Sequence, residues 1–320
     1  MSDSKSRPQV GILVLNWNSY TEVAQCLDSL RSIFYDNFDV IVVDNGSSDN
    51  SGTKLDQEYS NVEVVLSADN LGFSAGSNLG IQRLRDQGAD YVWLINNDIM
   101  IPDDQILRKL VAVMEANSEI GIITPQINEY PDTDTIWFKR GEMNLRIGSY
   151  YHSKNRRWYL HGLKKKQLKI QKEYVQTKNK LLKNEYLPFS CALFRESLFS
   201  EIGLLPEEYF LYVEDVEYCL RTMNAGYQLA TIPNVKVYHE KSSESSLSPI
   251  RSYYGVRNRY LFAQRNNSEI NLALFYPAYI LSIVLLFGQR ILAGNFVSAE
   301  AIVRGALDAI RMKQGKGPYP

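Results

Sequence analysis

The first third of the chain alternates short apolar runs with segments of helical spacing. Residues 10–15, "VGILVL", end abruptly in polar residues, the pattern of a parallel strand buried on both faces. Residues 21–31 set Val23, Leu27 and Leu30 on one helical face. A second apolar run, in "DVIVVDNGSSDNS", breaks into a polar turn. The same reading predicts helices over residues 51–59 and 76–87, and strands over 62–66 and 91–95. Strands alternating with helices imply a parallel α/β sheet, in which ligands sit beyond the carboxyl ends of the strands. Three strand ends therefore stand out: "LNWN", "VDNGSSD" and "NND".

The texture changes over residues 139–183, where "HSKNRRWYLHGLKKKQLKIQKEYVQTKNKLLK" is basic and interleaved with aromatic residues. Two readings stand, a solvated mobile insertion or a cradle for an anionic acceptor or membrane headgroups. Apolar patterning resumes in "YLPFSCALFR", and "EEYFLYVEDVEYCLRTMNAGY" has the form of an acidic turn entering a helix. Residues 270–289 carry no charge, close to the length needed to span a bilayer. Pro277 and the flanking Asn271 and Gln289 weaken a span, while Tyr276, Tyr279 and Arg290 suit an interfacial helix or hairpin. Membrane-surface attachment, a span and a buried helix or protein interface all stay open.

Composition narrows the class. The 320 residues are 45% apolar, with 35 basic side chains against 36 acidic, so no global charge points to nucleic acid. Cys26, Cys191 and Cys219 lie too far apart for a C-x-x-C metal spacing and imply no disulfide framework, so a reducing compartment is expected. The polar N-terminus, "MSDSKSRPQV", has no apolar signal core, and secretion is not expected.

Each strand end has a chemical and a plain structural reading. Asp44 and Asn45 can accept from a pyrimidine imide or a ribose hydroxyl, with Gly46 permitting a tight turn, yet Asx-Gly-Ser clusters are also ordinary turns. The same holds for Asn16 and Asn18. "NLGFSAGSNLG" is a small-residue loop leading into a helix, fit for close approach to phosphate, though it matches neither G-x-G-x-x-G nor the Walker pattern. Asp98 with Asn96 can hold Mg2+ or Mn2+ against phosphates, or can cap a turn. Glu214 and Asp215 are an acidic pair at a helix start, where they also complement the helix dipole, with Arg221 as a helix-face partner. His239, in "VKVYHE", is a candidate metal ligand or a structural histidine at a strand end.

Taken in order, "LNWNS", "VDNGSSDNS", "NLGFSAGSN", "LINNDI", "FLYVEDVEYCLR", "VYHE" and "YYGVRNR" closely resemble family 2 glycosyltransferases of the GT-A fold. The resemblance is to the branch with rhamnosyl- and galactofuranosyltransferase-like proteins. It implies an α/β fold with a Rossmann-like, mostly parallel central sheet flanked by helices and a C-terminal helical apolar extension. The expected organisation is a transferase domain over residues 1–265 and a membrane-associating extension over 266–320. Within the first, 1–125 would bind nucleotide sugar and 126–265, with the 139–183 insertion, the acceptor. The resemblance also implies that Asp98, Asn96 and His239 hold Mg2+ or Mn2+. Leu15, Asn16, Asn18, Asp44, Asn45, Asn70, Gly72, Asn78 and Asn97 would line the nucleotide-sugar site. Asp215 would be the catalytic base, and Glu214, Ser190 and Cys191 would face the acceptor.

The implied activity is inverting, metal-dependent transfer of a sugar, rhamnose among the candidates, from a dTDP- or UDP-sugar to a lipid-linked or surface glycan, at the cytoplasmic face of a membrane. Two departures stand out: Asn96 replaces the first carboxylate of D-x-D, and Phe189 stands where relatives often carry glycine. Two rival classes are a nucleotidyltransferase and a non-catalytic sugar-nucleotide scaffold. The first normally has a basic Gly-rich loop after the first strand, which "LNWNSYTEV" lacks. Retention of both Asp98 and Asp215 argues against the second.

Overall fold

The apolar runs become the parallel half of one continuous sheet in a computed structural model that describes residues 7–152, 181–240 and 248–319. In chain order the first half contains β1 (Val10–Asn16), α1 (Tyr20–Leu30), β2 (Phe38–Asp44), α2 (Ser51–Glu58), β3 (Glu63–Leu66), α3 (Phe73–Asp86) and β4 (Tyr91–Asn96). β5 (Ile99–Met100), α4 (Ile106–Ala116), β6 (Ile120–Tyr130), β7 (Ile136–Phe138), β8 (Gly141–Asn144) and β9 (Ser149–His152) follow. Next come β10 (Leu182–Asn184), β11 (Cys191–Arg195), α5 (Glu196–Ile202), α6 (Glu214–Asn224) and β12 (Gln228–Glu240). Three helices end the described chain: α7 (Pro249–Arg265), α8 (Leu272–Leu292) and α9 (Phe296–Ile310).

The main sheet runs β10-β12-β6-β11-β4-β1-β2-β3. β4, β1, β2 and β3 are parallel, and the chain reverses direction across the sheet at β1, the switch point where α/β folds bind ligands. Register sets Asn16 opposite Asp44 and Leu15 opposite Asn96, so the polar strand ends share one edge. β11 joins β4 antiparallel and carries the sheet into its second half. β4 is central, and residues 91–95 are buried because neighbours cover both of its edges and faces.

α3 begins three residues before the sequence pattern placed it. The Phe73 N–H donates to the Phe210 carbonyl at 2.7 Å, a long-range tie that fixes the first turn. The start of the basic stretch is structured: β8 and β9 form an antiparallel hairpin, with Tyr150 packed against Tyr186. The middle of that stretch, residues 153–180, lies outside the described residues, and its end enters β10.

α9 packs along α7, and α8 packs on both α9 and α7. Phe275, Tyr279, Ser282 and Arg290 form the inward face of α8, while Ile280 and Val284 are 60% and 61% exposed. α8 is thus no buried core helix. It is long and apolar enough to cross a membrane, yet one face is committed to the protein.

Candidate active site

At the end of β1, buried Asn16 donates through Nδ2 to Asp44 Oδ1 at 2.6 Å and to Ser51 Oγ at 2.7 Å. Asp44 also accepts from Ser47 Oγ at 2.6 Å. Gly46 follows with φ +73°, and a Cβ there would strike the Asp69 backbone, so the turn requires glycine. Asn18, at φ +51°, closes the turn by accepting the Ser48 N–H at 2.8 Å.

The next loop is shaped by amides. Asn45 Oδ1 accepts from the Leu71 N–H at 3.0 Å, and its Nδ2 donates to the Gly72 carbonyl at 3.0 Å. Asn70 Oδ1 accepts from the Gly72 N–H at 2.9 Å. Asn45 and Asn70 therefore hold the loop in place, while Leu15 packs under the first turn of α3 beside Gly76. Asn78, expected on the donor side, is directed elsewhere. Its Nδ2 donates to the Leu205 carbonyl at 2.9 Å and to Glu207 Oε1 at 2.8 Å, and its Oδ1 accepts from the Leu205 N–H at 3.1 Å. A buried amide must be satisfied, and here the protein satisfies both ends.

At the end of β4, the Asn96 N–H donates to the Ser190 carbonyl at 2.8 Å. β5 then pairs antiparallel with β12, which sets Ile99 opposite His239 and brings His239 Nε2 to 3.2 Å from Asp98 Oδ2. Trp137 stacks on the imidazole, with centroids 4.7 Å apart. Asp98 Oδ1 is buried with no hydrogen-bond partner among the described residues. Among those residues no group of three or more His, Cys, Asp or Glu side chains is placed to hold a metal. A carboxylate with an orphaned oxygen beside one imidazole is no closed structural site. Its hard oxygen and single imidazole fit a divalent cation that would draw its remaining ligands from outside the protein. Asn96 and Asn97 flank this pair.

Glu214 and Asp215 open α6. The Tyr186 hydroxyl donates to Asp215 Oδ2 at 2.9 Å, and the Val216 N–H donates to Oδ1 at 2.8 Å. Burial pushes Asp215 up to about 6, while the Tyr186 bond restrains the rise. Glu214 is raised well above the usual carboxylate range, by burial first and by the Asp215 charge second, and its Oε2 is buried without a partner among the described residues. Glu214 thus keeps its proton where Asp215 ionises, a division of roles suited to acid–base work near neutral pH.

The chain enters this pair through a strained loop. Phe210, Tyr212 and Val213 have φ of 66°, 67° and 80°, a region that a β-branched residue such as Val213 avoids. Asn258 Nδ2, from α7, lies within hydrogen-bonding distance of the carbonyls of Tyr209, Leu211 and Tyr212, at 3.0, 2.7 and 2.9 Å. Buried Arg257 adds a bond from Nη2 to the Tyr209 carbonyl at 2.8 Å. Gly72, at φ +87°, lies so close that a Cβ would strike the Phe210 carbonyl. The loop at Asn70 and Gly72 and the loop before the acid pair are therefore in direct contact.

Ser190 sits where β11 begins, and its Oγ is buried without a partner among the described residues. Cys191, expected at the acceptor, lies inside the core instead, its thiol pushed up to about 12 by burial. Phe189 is likewise a core residue, 4.8 Å from Phe194 ring to ring. Sequence reasoning gave no role to Tyr186, Trp137, Arg257 or Asn258. A signal existed for the last two: "YYGVRNRYLFA" sets Arg257, Asn258 and Arg259 among apolar residues of one helix, and such groups when buried are held by specific partners.

Comparisons with known proteins agree with this geometry. The family described as glycosyl transferase family 2 matches residues 12–203. A dTDP-rhamnosyl transferase of Shigella flexneri is 25% identical, covering 88% of each chain. An N-acetylglucosaminyl-diphospho-decaprenol L-rhamnosyltransferase of Mycobacterium tuberculosis is 26% identical over 66% of this chain and 69% of its own. Among solved structures, a mannosyltransferase from Pyrobaculum calidifontis in complex with GDP-Man and Mn2+ shares the fold, with a TM-score of 0.57 and 15% identity. That match covers 96% of this chain and 88% of the other. The fold is GT-A, and the chain belongs to glycosyl transferase family 2 as a nucleotide-sugar glycosyltransferase.

Proposed function

We propose that the enzyme moves a sugar, rhamnose foremost, from a dTDP- or UDP-activated donor to a hydroxyl of a lipid-linked or cell-surface glycan, with inversion at the anomeric carbon. The observation that carries this reading is a run of ring contacts joining two half-sites: His239 stacks on Trp137, Trp137 meets His152, and His152 stacks on Tyr186. One half-site is Asp98 with His239, and the other is Asp215 held by Tyr186. The loop at Asn70 and Gly72 touches the loop that leads into Asp215 at Phe210.

Asp44 and Asn16 offer polar groups to the base and ribose, and the loop at Asn70 and Gly72 brings backbone close to the donor. Asp98 and His239, with Asn96, would hold Mg2+ or Mn2+, which when bound neutralises charge developing on the diphosphate. Asp215 takes the proton of the acceptor hydroxyl as its oxygen bonds to the anomeric carbon and the bond to the diphosphate breaks. Ser190 and Glu214 face the acceptor. A single ionised carboxylate on the acceptor side supports one displacement, hence inversion. The names of the rhamnosyl relatives support rhamnose and a diphospholipid acceptor. The outward apolar face of α8 supports peripheral attachment at the cytoplasmic face of a membrane, because its inward face is held by α7.

The test is a melting-temperature panel of nucleotide sugars with and without Mn2+, followed by NMR of the anomeric configuration of the product. A donor at 100 times its Kd adds about 2.7 kcal/mol. Retained configuration overturns the single displacement. Donor binding with neither hydrolysis nor transfer overturns the enzyme reading in favour of a scaffold.

A further inference from the structure

Gly315 is bonded both to the strained loop before the acid pair and to α7. Its N–H donates to the Glu208 carbonyl at 2.7 Å, and its carbonyl accepts from Arg257 Nη1 at 2.7 Å. The same guanidinium donates through Nη2 to the Tyr209 carbonyl at 2.8 Å and through Nε to Asn258 Oδ1 at 2.9 Å. Glu208 and Tyr209 are therefore joined to Gly315 twice, once directly and once through Arg257. Arg257 is fully buried, with its guanidinium carbon 4.8 Å from the centre of the Tyr254 ring. A planar fork with fixed donors makes this bridge, and a lysine cannot reproduce it.

The segment that carries Gly315, residues 311–319, follows α9 and docks on α7. The Gly317 N–H donates to the Tyr254 hydroxyl at 2.8 Å, and that hydroxyl donates to the Tyr319 carbonyl at 3.0 Å. A Cβ on Gly317 would lie 2.2 Å from the Tyr253 ring, so glycine lets the segment approach this closely. Gly315 has φ +69° and open space where a Cβ would be, so there the demand is on backbone conformation alone. The Tyr254 ring also stacks on Phe210, with centroids 5.4 Å apart. Phe210 is the first left-handed residue of the loop.

Left-handed residues with side chains persist only where their surroundings over-determine them. Asn258 restrains this loop from α7, and Arg257 with Gly315 restrains its start from a distant part of the chain. The loop runs straight into Glu214 and Asp215. We propose that Arg257 and Gly315 are positioning residues for sugar transfer, a clamp through which residues 311–319 hold Asp215 at its working distance from the acceptor oxygen. This rests on the transferase reading of Asp215. A misplacement of about 1 Å can cost about 10²-fold in rate, so the clamp acts on kcat. The loop at Asn70 and Gly72 has restraints of its own in Asn45 and Asn70, which insulate nucleotide affinity.

The experiment uses the full chain and reads two things. One is hydrogen exchange of the backbone amides in residues 210–217. The other is release of nucleotide diphosphate in Mn2+ from dTDP-rhamnose, or from whichever nucleotide sugar most raises the melting temperature. Water stands in for the acceptor: its oxygen bonds to the anomeric carbon, the bond to the diphosphate breaks, and Asp215 takes the proton. Gly315→Val, which cannot keep a left-handed backbone, and Gly317→Leu, which strikes Tyr253, should quicken exchange. Both should lower kcat per folded molecule about tenfold or more. The Kd of the free nucleotide diphosphate should stay within about twofold. Gly315→Asn should keep wild-type exchange and rate, because asparagine tolerates the left-handed region. Arg257→Lys should follow Gly315→Val; if it fails to fold, the glycine variants carry the test. Unchanged exchange in Gly315→Val and Gly317→Leu overturns the clamp. Faster exchange with a wild-type kcat per folded molecule overturns the positioning role and makes the segment purely structural. A loss in Gly315→Asn equal to that in Gly315→Val overturns the part assigned to the Gly315 backbone. A wild type that releases nucleotide diphosphate from no donor sinks the transferase reading and the positioning role with it, while the exchange data still read the clamp.

Discussion

The Tyr186 hydroxyl lies 2.9 Å from Asp215 Oδ2, and this bond favours the ionised carboxylate against the burial that opposes it. The proposed base, Asp215, must be ionised to take a proton, so kcat should climb with pH through about 6 and then level. Tyr186→Phe removes a bond to the charged form, which moves the acid limb to higher pH while preserving most of the plateau. A pH–rate profile of the two proteins checks this, and an acid limb that stays in place separates it from Asp215.

Asp215→Asn keeps size but cannot take the proton, so kcat should fall by about 10²–10⁴ with donor Kd unchanged. Its stability should move in the opposite sense. The folded group titrates near 6 against an ordinary 3.8, so ionised Asp215 costs stability above pH 6, and the cost is gone below 3.8. The variant should therefore melt higher than wild type at pH 8 and close to wild type near pH 4. Glu214→Gln should lose less activity, because Glu214 already holds its proton. A near-wild-type kcat for Asp215→Asn moves the base to Glu214.

Asp98 and His239 meet only because the short strand β5 pairs with β12. Asp98→Ala should abolish transfer and weaken nucleotide diphosphate binding in Mn2+, with Asn96→Ala milder and His239→Ala between them. Calorimetry of the free nucleotide diphosphate with Mn2+ and with EDTA reads this without turnover. Affinity unchanged by both EDTA and Asp98→Ala removes the cation from the site.

How far the sequence reaches is clear from these residues. Buried parallel strands read plainly because both faces are apolar, and the abrupt polar ends of β1, β2 and β4 marked the crevice. Roles set by distant contacts did not read. Nothing local to Asn78 says that its amide will meet Leu205, and nothing local to Tyr186 says that it will reach Asp215. Cys191 lies in the core rather than at the acceptor because side chains alternate along a strand, so one position decides between core and crevice. Residues 99–100 were too few for a strand pattern, yet their pairing brings Asp98 to His239.

Asn258 is expected to matter for rate as well as stability. Its amide holds three carbonyls of a loop with three left-handed residues. Asn258→Ala leaves buried acceptors unpaired and should cost about 1–3 kcal/mol in urea unfolding. The relaxed loop should also lower kcat at saturating donor, since it leads directly into Glu214. A variant that loses stability but keeps its turnover per folded molecule makes Asn258 purely structural.

The apolar outer face of α8 yields the last prediction. Ending the chain near residue 267 is a poor test of membrane attachment, because it also removes α9 from its packing on α7. Ile280, Val284 and Phe287 are better probes: they are 60%, 61% and 37% exposed and point away from the buried face. Full burial of such a side chain contributes about 1.5–3 kcal/mol, and half of that for three residues corresponds to roughly fiftyfold or more in partitioning. Changing all three to serine should therefore release the protein from phosphatidylcholine vesicles by about that factor. Melting temperature should stay close to wild type, since these side chains add little to the folded core. If the triple variant sediments with vesicles as wild type does, α8 is not the attachment surface. If the variant instead loses self-association while wild type ignores vesicles, the exposed face is a protein interface.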